Sequence, residues 1–274
     1  MIAASQVSII ISTYNHQRPL ELSLAGFRNQ TQMPGELLVA DDGSGPDTVA
    51  LIRRLLPELP CRTRHVWHED RGFRKTTILN RALAVASGEY IVITDADCIP
   101  HRRFVEDHAA LAERGFWVQG RRCYLDEVAS QSQEPGQRVS TLQFLLAGRL
   151  TGLAKAFRLP VPLIRRNMLQ RGIIGCNMAV WRDDLLAING WDEAYEGWGL
   201  GEDSDLGSRL YHLGRARKFV YGRAIQYHLH HPILSRDQLA QNELRFQMTL
   251  RTRKVACERG VSQYLNAVGA SDLA

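Results

Sequence analysis

An α/β fold built on a mostly parallel sheet follows from three features of this sequence. Short, nearly unbroken apolar runs recur at residues 7–11, 37–40 and 90–93. Such runs fit strands covered by helices on both faces. Segments with helical spacing lie between them, at 18–30, 47–56 and 76–86, and strand–helix alternation implies right-handed crossovers in one sheet. Each run also ends in polar or charged residues. Those residues gather at the carboxyl edge of the sheet, where open α/β sheets bind ligands.

Taken in order, the first strand ends in Ser12-Thr13-Tyr14-Asn15, and Leu20, Leu24 and Phe27 mark the following helix. The second strand ends in Asp41-Asp42-Gly43-Ser44, with Asp47 placed to cap the next helix. A third strand is expected at 63–68 and a helix at 76–86, closed near Gly88. Tyr90 to Ile93 then lead into Thr94, Asp95, Ala96 and Asp97. Beyond it the pattern predicts a helix at 104–114, a strand at 116–124, a strand at 173–180, a helix at 182–188 and a helix at 202–213. A last strand at 220–227 precedes His228-Leu-His-His231, and 235–259 has helical spacing with mixed charge. The stretch 127–171 is basic and apolar, with Leu142, Leu145, Leu146, Leu150 and Leu153 on one helical face. It reads as a helix covering the sheet, or as an interfacial helix touching anionic lipid.

A chain of 274 residues suits one large domain or two small ones. Five cysteines without a Cys-x-x-Cys pair argue for reduced thiols rather than a disulfide framework or zinc site. Residues 1–6 offer no basic leader region, and no apolar run approaches membrane-spanning length. The expected location is therefore cytoplasmic, at most peripheral to the inner membrane face. A net charge of +5 is mild and suits an anionic substrate or lipid surface. No Gly-x-Gly-x-x-Gly or Walker sequence follows the first strand, which weakens the dinucleotide and P-loop readings.

Asp95 and Asp97 stand two residues apart at a strand end, and along an extended chain they would face one spot roughly 6–7 Å apart. Two such charges are unfavourable together unless donors or a cation intervene, and a hard divalent ion with positions left for phosphate would serve. The same pair could instead form a turn, since Pro100 permits a helix near His101. Arg71, Arg74 and Lys75 precede a helix N-terminus, where backbone N–H groups favour anions. Glu202-Asp203-Ser204-Asp205 open another helix, where carboxylates complement the helix dipole.

Four ordered segments make a more specific pattern than any of these alone: Ser-Ile-Ile-Ile-Ser-Thr-Tyr-Asn (8–15), Leu-Val-Ala-Asp-Asp-Gly-Ser (38–44), Ser-Gly-Glu-Tyr-Ile-Val-Ile-Thr-Asp-Ala-Asp (87–97) and Gly-Trp-Gly-Leu-Gly-Glu-Asp-Ser-Asp-Leu (197–206). Together they resemble family 2 glycosyltransferases of the GT-A fold. The last segment also resembles the acceptor end of β-1,4-galactosyltransferases and chondroitin-type synthases. The resemblance covers about residues 5–232. It implies a unit at 1–232, with a nucleotide-sugar half at 1–125, an acceptor half at 126–232 carrying the basic insertion, and a helical extension at 233–274.

What the resemblance implies for single residues is specific. Ser12, Thr13 and Tyr14 would hold the base of a UDP-sugar, with Asp42 accepting a hydrogen bond from it and Asp41 a weaker alternative. Arg74 and Lys75, with Asn80 less so, would contact the nucleotide, and Asp95 the ribose or metal. Asp97 would bind Mn²⁺ or Mg²⁺, with His228 and then His231 from the distant cluster; His230 is the remaining choice. Imidazole suits Mn²⁺ better than Mg²⁺. Asp203 would be the general base of an inverting transfer, with Glu202 on sugar hydroxyls, Trp198 stacking on a sugar face and Asn177 lining the sugar pocket. Glycines 197, 199 and 201 would let the loop close. The implied acceptor is a carbohydrate or glycolipid of bacterial surface polysaccharide or lipopolysaccharide. Nucleic acid is not expected as a partner, because the basic residues are spread rather than clustered with aromatics. A sugar-phosphate nucleotidyltransferase is the competing enzyme reading, and a non-catalytic sugar-nucleotide binder the competing reading outside enzymes. Oligomeric state is not legible.

Overall fold

The computed structural model describes residues 1–168, 172–197, 201–232 and 239–265. Its first half alternates strand and helix as expected: β1 (Val7–Thr13), α1 (Gln17–Arg28), β2 (Glu36–Asp41), α2 (Pro46–Leu55), β3 (Arg62–Trp67), α3 (Lys75–Val85) and β4 (Tyr90–Asp95). These four strands pair in parallel in the order β3-β2-β1-β4. Their side chains alternate between two cores. Ile9, Ile11, Leu37, Val39, Tyr90 and Val92 pack with Leu24, Phe27 and Ile52 on one side. Ile10, Leu38, Ile91 and Ile93 pack with Ile78, Leu79 and Leu83 on the other. Burial on both faces is why the runs are apolar without alternation. One cap differs from expectation: α2 starts from Gly45 with Pro46 in its first turn, so Asp47 lies inside the helix.

After β4 the chain forms β5 (Cys98–Pro100), α4 (Phe104–Leu111), β6 (Phe116–Gln119) and β7 (Arg121–Leu125). Next come α5 (Glu127–Gln131), α6 (Thr141–Leu146), β8 (Leu150–Thr151), α7 (Leu153–Ala156) and β9 (Leu163–Asn167). The remainder is β10 (Asn177–Trp181), α8 (Arg182–Ala187), α9 (Glu202–His212), β11 (Ala216–Tyr221), β12 (Ile225–His228), α10 (Leu239–Thr252) and α11 (Ser262–Leu265). The large sheet continues as β4-β10-β6-β11-β9, with β10 antiparallel to both neighbours and β9 antiparallel to β11. It is thus a mixed, mostly parallel sheet with helices on both faces.

The principal departure from the sequence reading is a second sheet, β5-β12-β7-β8. The expected strands at 116–124 and 220–227 are each two strands. The first breaks at Gly120, and the second turns at Gly222 and Ala224, both with positive φ. β6 and β11 run in parallel in the large sheet, and β7 and β12 run in parallel in the small one. Two neighbouring strands therefore leave one sheet and enter the other together.

The expected long helix within 127–171 does not form. Gly148 and Gly152 adopt positive φ and divide the segment, leaving short helices beside β8. Leu142 and Leu146 face solvent, while Phe144 turns into the core of the small sheet beside Ile99, Leu125 and Tyr227. Among the described residues no helix is long and apolar enough to cross a membrane.

Candidate active site

The carboxyl ends of β1 and β4 build the first part of the site. Parallel register sets Ser12 beside Asp95, and the Ser12 hydroxyl donates to Asp95 Oδ1 at 2.6 Å. Lys75, at the start of α3, donates Nζ to the same oxygen at 2.7 Å. Burial works against the Lys75 charge, yet Asp95, Asp203 and Glu202 together hold the ammonium well above its ordinary value. Lys75 is therefore the cation between the strand-end carboxylate and the acidic pair of α9.

β4 stops at Asp95, and the chain turns through Ala96, whose N–H bonds to Ser12 O at 2.9 Å. This corrects the extended geometry expected for the pair: Asp95 meets Ser12 and Lys75, whereas Asp97 has a separate set of partners. Antiparallel pairing of β12 with β5 puts His228 opposite Cys98. His228 Nε2 lies 3.5 Å and His231 Nε2 3.2 Å from Asp97 Oδ2. Potential ligand atoms of these three residues all fall within 4.8 Å of one another. His230 turns away, its N–H donating to Ser130 Oγ.

Electrostatics and tautomer both suit a cation among the trio. Burial alone would raise the Asp97 carboxyl, but the His231 hydrogen bond and the His228 charge outweigh it and hold Asp97 well below the carboxylate range. The same hydrogen bond lifts His231 to about 8, and burial pushes His228 down. His231 Nδ1 lies 2.8 Å from the Pro232 carbonyl. A carbonyl only accepts, so Nδ1 keeps its proton there, while Nε2–H donates to Asp97; loss of that Nε2 proton would free its lone pair for a cation. One carboxylate and two imidazoles form a donor set that Mn²⁺ accepts more readily than Mg²⁺, which prefers an all-oxygen shell.

Across from Asp95, α9 begins after Gly201, whose φ of 138° admits no ordinary side chain. Glu202 and Asp203 occupy its first turn. Asp203 Oδ2 accepts the Gly175 N–H at 2.6 Å. A methyl on Gly175 would sit 2.2 Å from Asp203 Oδ1, so this glycine is required for the carboxylate's position. Burial raises both acids. Asp203 adds to the effect on Glu202, and Lys75 opposes it in each. Asp205, the third acid of the turn, is structural: it is fully buried against Arg209 Nε at 2.7 Å and Thr249 Oγ1 at 2.6 Å.

The strand-one end of the cleft holds the expected base-binding residues. Tyr14 is 48% exposed, and its hydroxyl donates to Asp70 at 2.9 Å. Thr13 is buried, and among the described residues its hydroxyl has no partner. Asp42 bonds His68 Nε2 at 2.7 Å and the Arg74 N–H at 2.8 Å, leaving each oxygen a second lone pair. Asp41 instead ties the turn, accepting from Ser44 N–H at 2.8 Å and meeting His65 Nε2 at 2.9 Å. The Arg74 guanidinium bonds the Glu69 carbonyl, so of the two basic residues Lys75 is the one at the carboxylates.

Other expectations change. Asn177 does not line the cleft: it is fully buried, and its Nδ2 donates to Arg121 O and Ala224 O, both at 2.8 Å. Asn80 is likewise buried, bonding Trp191 O and Glu193. Trp198 and Gly199 lie outside the described residues. Arg122 was missed. It reaches Tyr124 OH at 2.8 Å and Cys176 Sγ at 3.1 Å, and its charge acts on Asp203, His228 and His231. His16 was also missed; its ring meets His231 edge-on at 6.1 Å. Sequence alternation gave no signal for either, because the strand carrying Arg122 belongs to a sheet that local pattern does not reveal.

An α/β sheet with carboxylates gathered at its strand ends, an acidic pair across from them and the Asp97, His228 and His231 trio alongside has the arrangement of a GT-A fold. Comparison makes it specific. Residues 8–170 match the model for glycosyl transferase family 2, and residues 157–232 match one described as the N-terminal domain of galactosyltransferase. The chain belongs to glycosyl transferase family 2. It is 28% identical over 245 residues to chondroitin synthase of Escherichia coli, covering 82% of this chain and 35% of that protein. This chain therefore spans about a third of that relative's length. The fold matches S. aureus TarS 1-349 in complex with UDP (TM-score 0.61, 15% identity, 94% of this chain and 68% of that one). It also matches mannosyltransferase PcManGT from Pyrobaculum calidifontis in complex with GDP-Man and Mn²⁺ (TM-score 0.56, 21% identity, 96% and 68%).

Proposed function

We propose that this chain moves a sugar from a nucleotide donor, UDP-linked by preference, to a carbohydrate hydroxyl, with inversion at the anomeric carbon. The observation that carries this is Lys75, which bonds Asp95 and acts electrostatically on Asp203 and Glu202. It gives the strand-end carboxylate and the α9 acids one cleft. In this reading Tyr14, Thr13 and Asp42 receive the base, and Ser12, Asp95 and Lys75 the ribose and diphosphate end. Asp203, held by the Gly175 N–H, takes the proton from the acceptor hydroxyl as it attacks. Glu202 orients sugar hydroxyls. Asp97, His228 and His231 would hold a divalent cation, Mn²⁺ by their chemistry, and when bound it supplies positive charge for a departing diphosphate. Arg122 adds fixed positive charge on the same side.

UDP in one fold relative and Mn²⁺ in another support the donor and ion assignments. The chondroitin synthase relative supports a polysaccharide or glycolipid acceptor, an assignment made by analogy. The test uses a panel of UDP-sugars with Mn²⁺ and acceptor oligosaccharides, reading UDP release. Asp203→Asn should fold, bind UDP as wild type does, and lose transfer by about a thousandfold or more. Undiminished turnover would remove Asp203 from the role of base.

A further inference from the structure

The small sheet borders a cavity of about 260 Å³, lined in part by Ile99 and Tyr227. Their chain neighbours Cys98 and His228 lie on the Asp97 side. Side chains alternate across a strand, so this cavity and the candidate cation trio occupy opposite faces of the sheet. Arg102, Arg138, Arg158 and His101 all reach its wall, and among the described residues no carboxylate does.

Asp107 and Glu106 hold Arg158 from behind, at 2.8 and 3.7 Å. Arg102 and Arg138 have no hydrogen-bond or ion-pair partner for their guanidiniums among the described residues. The local field is strongly positive: burial, then the charges of Arg158, Arg102, Arg103 and Arg138, push His101 down to about 4. Like charges converging on one hollow are unfavourable until an anion joins them. Guanidinium forks fit the oxygen pairs of carboxylate and phosphate. Phe157 and Ile99 give the hollow an apolar wall, against which the body of a ligand can lie. Its volume is below the ~300–1,000 Å³ of sites that enclose drug-sized molecules, which limits the occupant to about one ring.

We propose that this cavity is an anion-binding site separate from the transfer site, taking a phosphate- or carboxylate-bearing group of single-sugar size through Arg102 and Arg138. The proposal does not rest on the transfer reading. One chemistry, an oxyanion, has two sources here: the carboxylate of an acidic sugar, or a phosphate on a lipid or glycan.

NMR of the full chain separates them, following the Arg102 and Arg138 Nε–H and His101 ring signals during titration with inorganic phosphate, glucuronate and, as a neutral control, glucose. Saturable shifts at these groups with either anion and none with glucose are expected. The double variant Arg102→Ala/Arg138→Ala, altered at two exposed residues, should weaken that binding at least about tenfold while leaving UDP affinity unchanged. Response to phosphate alone assigns a phosphate group; response to glucuronate alone assigns an acidic sugar. The proposal is overturned if neither anion moves these signals, or if the double variant binds both as wild type does.

Discussion

Lys75 decides how the site titrates. It opposes the burial that raises Asp203, so removing its charge must raise that acid further. In Lys75→Met the acid limb of the kcat–pH profile should move to higher pH, with UDP-sugar affinity reduced as well. A profile that keeps its acid limb would show that Asp203 is not the titrating base. At this scale the sequence was informative where a residue's role depends on neighbours along the chain. Asp95 and Asp203 lie in two of the ordered motifs, and Lys75 was marked by the helix start beside it. Asn177 was expected in the sugar pocket from the resemblance, and the structure buries it instead. Its partners, Arg121 O and Ala224 O, come from distant segments. Arg122 was invisible for the same reason.

At the scale of elements, Asn177 pins the place where two strands change sheets. Its amide bonds the carbonyls just past both breaks, and His108 Nε2 lies 3.1 Å from its Oδ1. A methyl on Gly120 would come within 2.3 Å of the same amide oxygen, which explains the glycine. Asn177→Ala leaves those carbonyls and His108 without partners and should cost about 2–4 kcal/mol, read as a lower urea midpoint. A midpoint within error of wild type would refute the pinning. His108 also couples this junction to pH. Burial lowers it from an ordinary 6.5 to about 4. Between those values the unfolded chain binds a proton that the folded chain refuses, so stability falls as pH drops through the window. The loss should total on the order of 3 kcal/mol, and His108→Gln should flatten the slope. An equally steep slope in that variant would assign it to other groups. Strand-to-strand breaks of this kind escape sequence reading, since β6 and β7 follow one another with only a glycine between them.

Across the whole molecule, β1, β2 and β4 were legible because both faces of each are buried, and the edge strand β3 and the helices because they connect locally. The second sheet and the broken segment 127–168 were not, because non-local pairing and positive-φ glycines set them. The carboxyl-terminal part is woven into the core. Thr249 bonds the buried Asp205, Asn189 Nδ2 bonds Cys257 O at 2.9 Å, and Val261 packs with Ile188 and Trp191. Deleting residues 233–274 should therefore lower the melting temperature sharply or abolish soluble folding. Loss of the Thr249 bond alone is worth on the order of 1–3 kcal/mol, and the exposed core adds to it. A truncated chain melting like the parent would show these contacts to be dispensable.

The paired departure of β6 and β11 from the large sheet has a further meaning. His228 and Arg122 are aimed by continuous backbone shared with the main scaffold, while the irregular segment after β7 hangs from the far side of the same ribbon. Variation in that segment can remodel what the molecule grips without disturbing the alignment of the charged centre, so novelty and precision are housed on opposite faces of one small sheet.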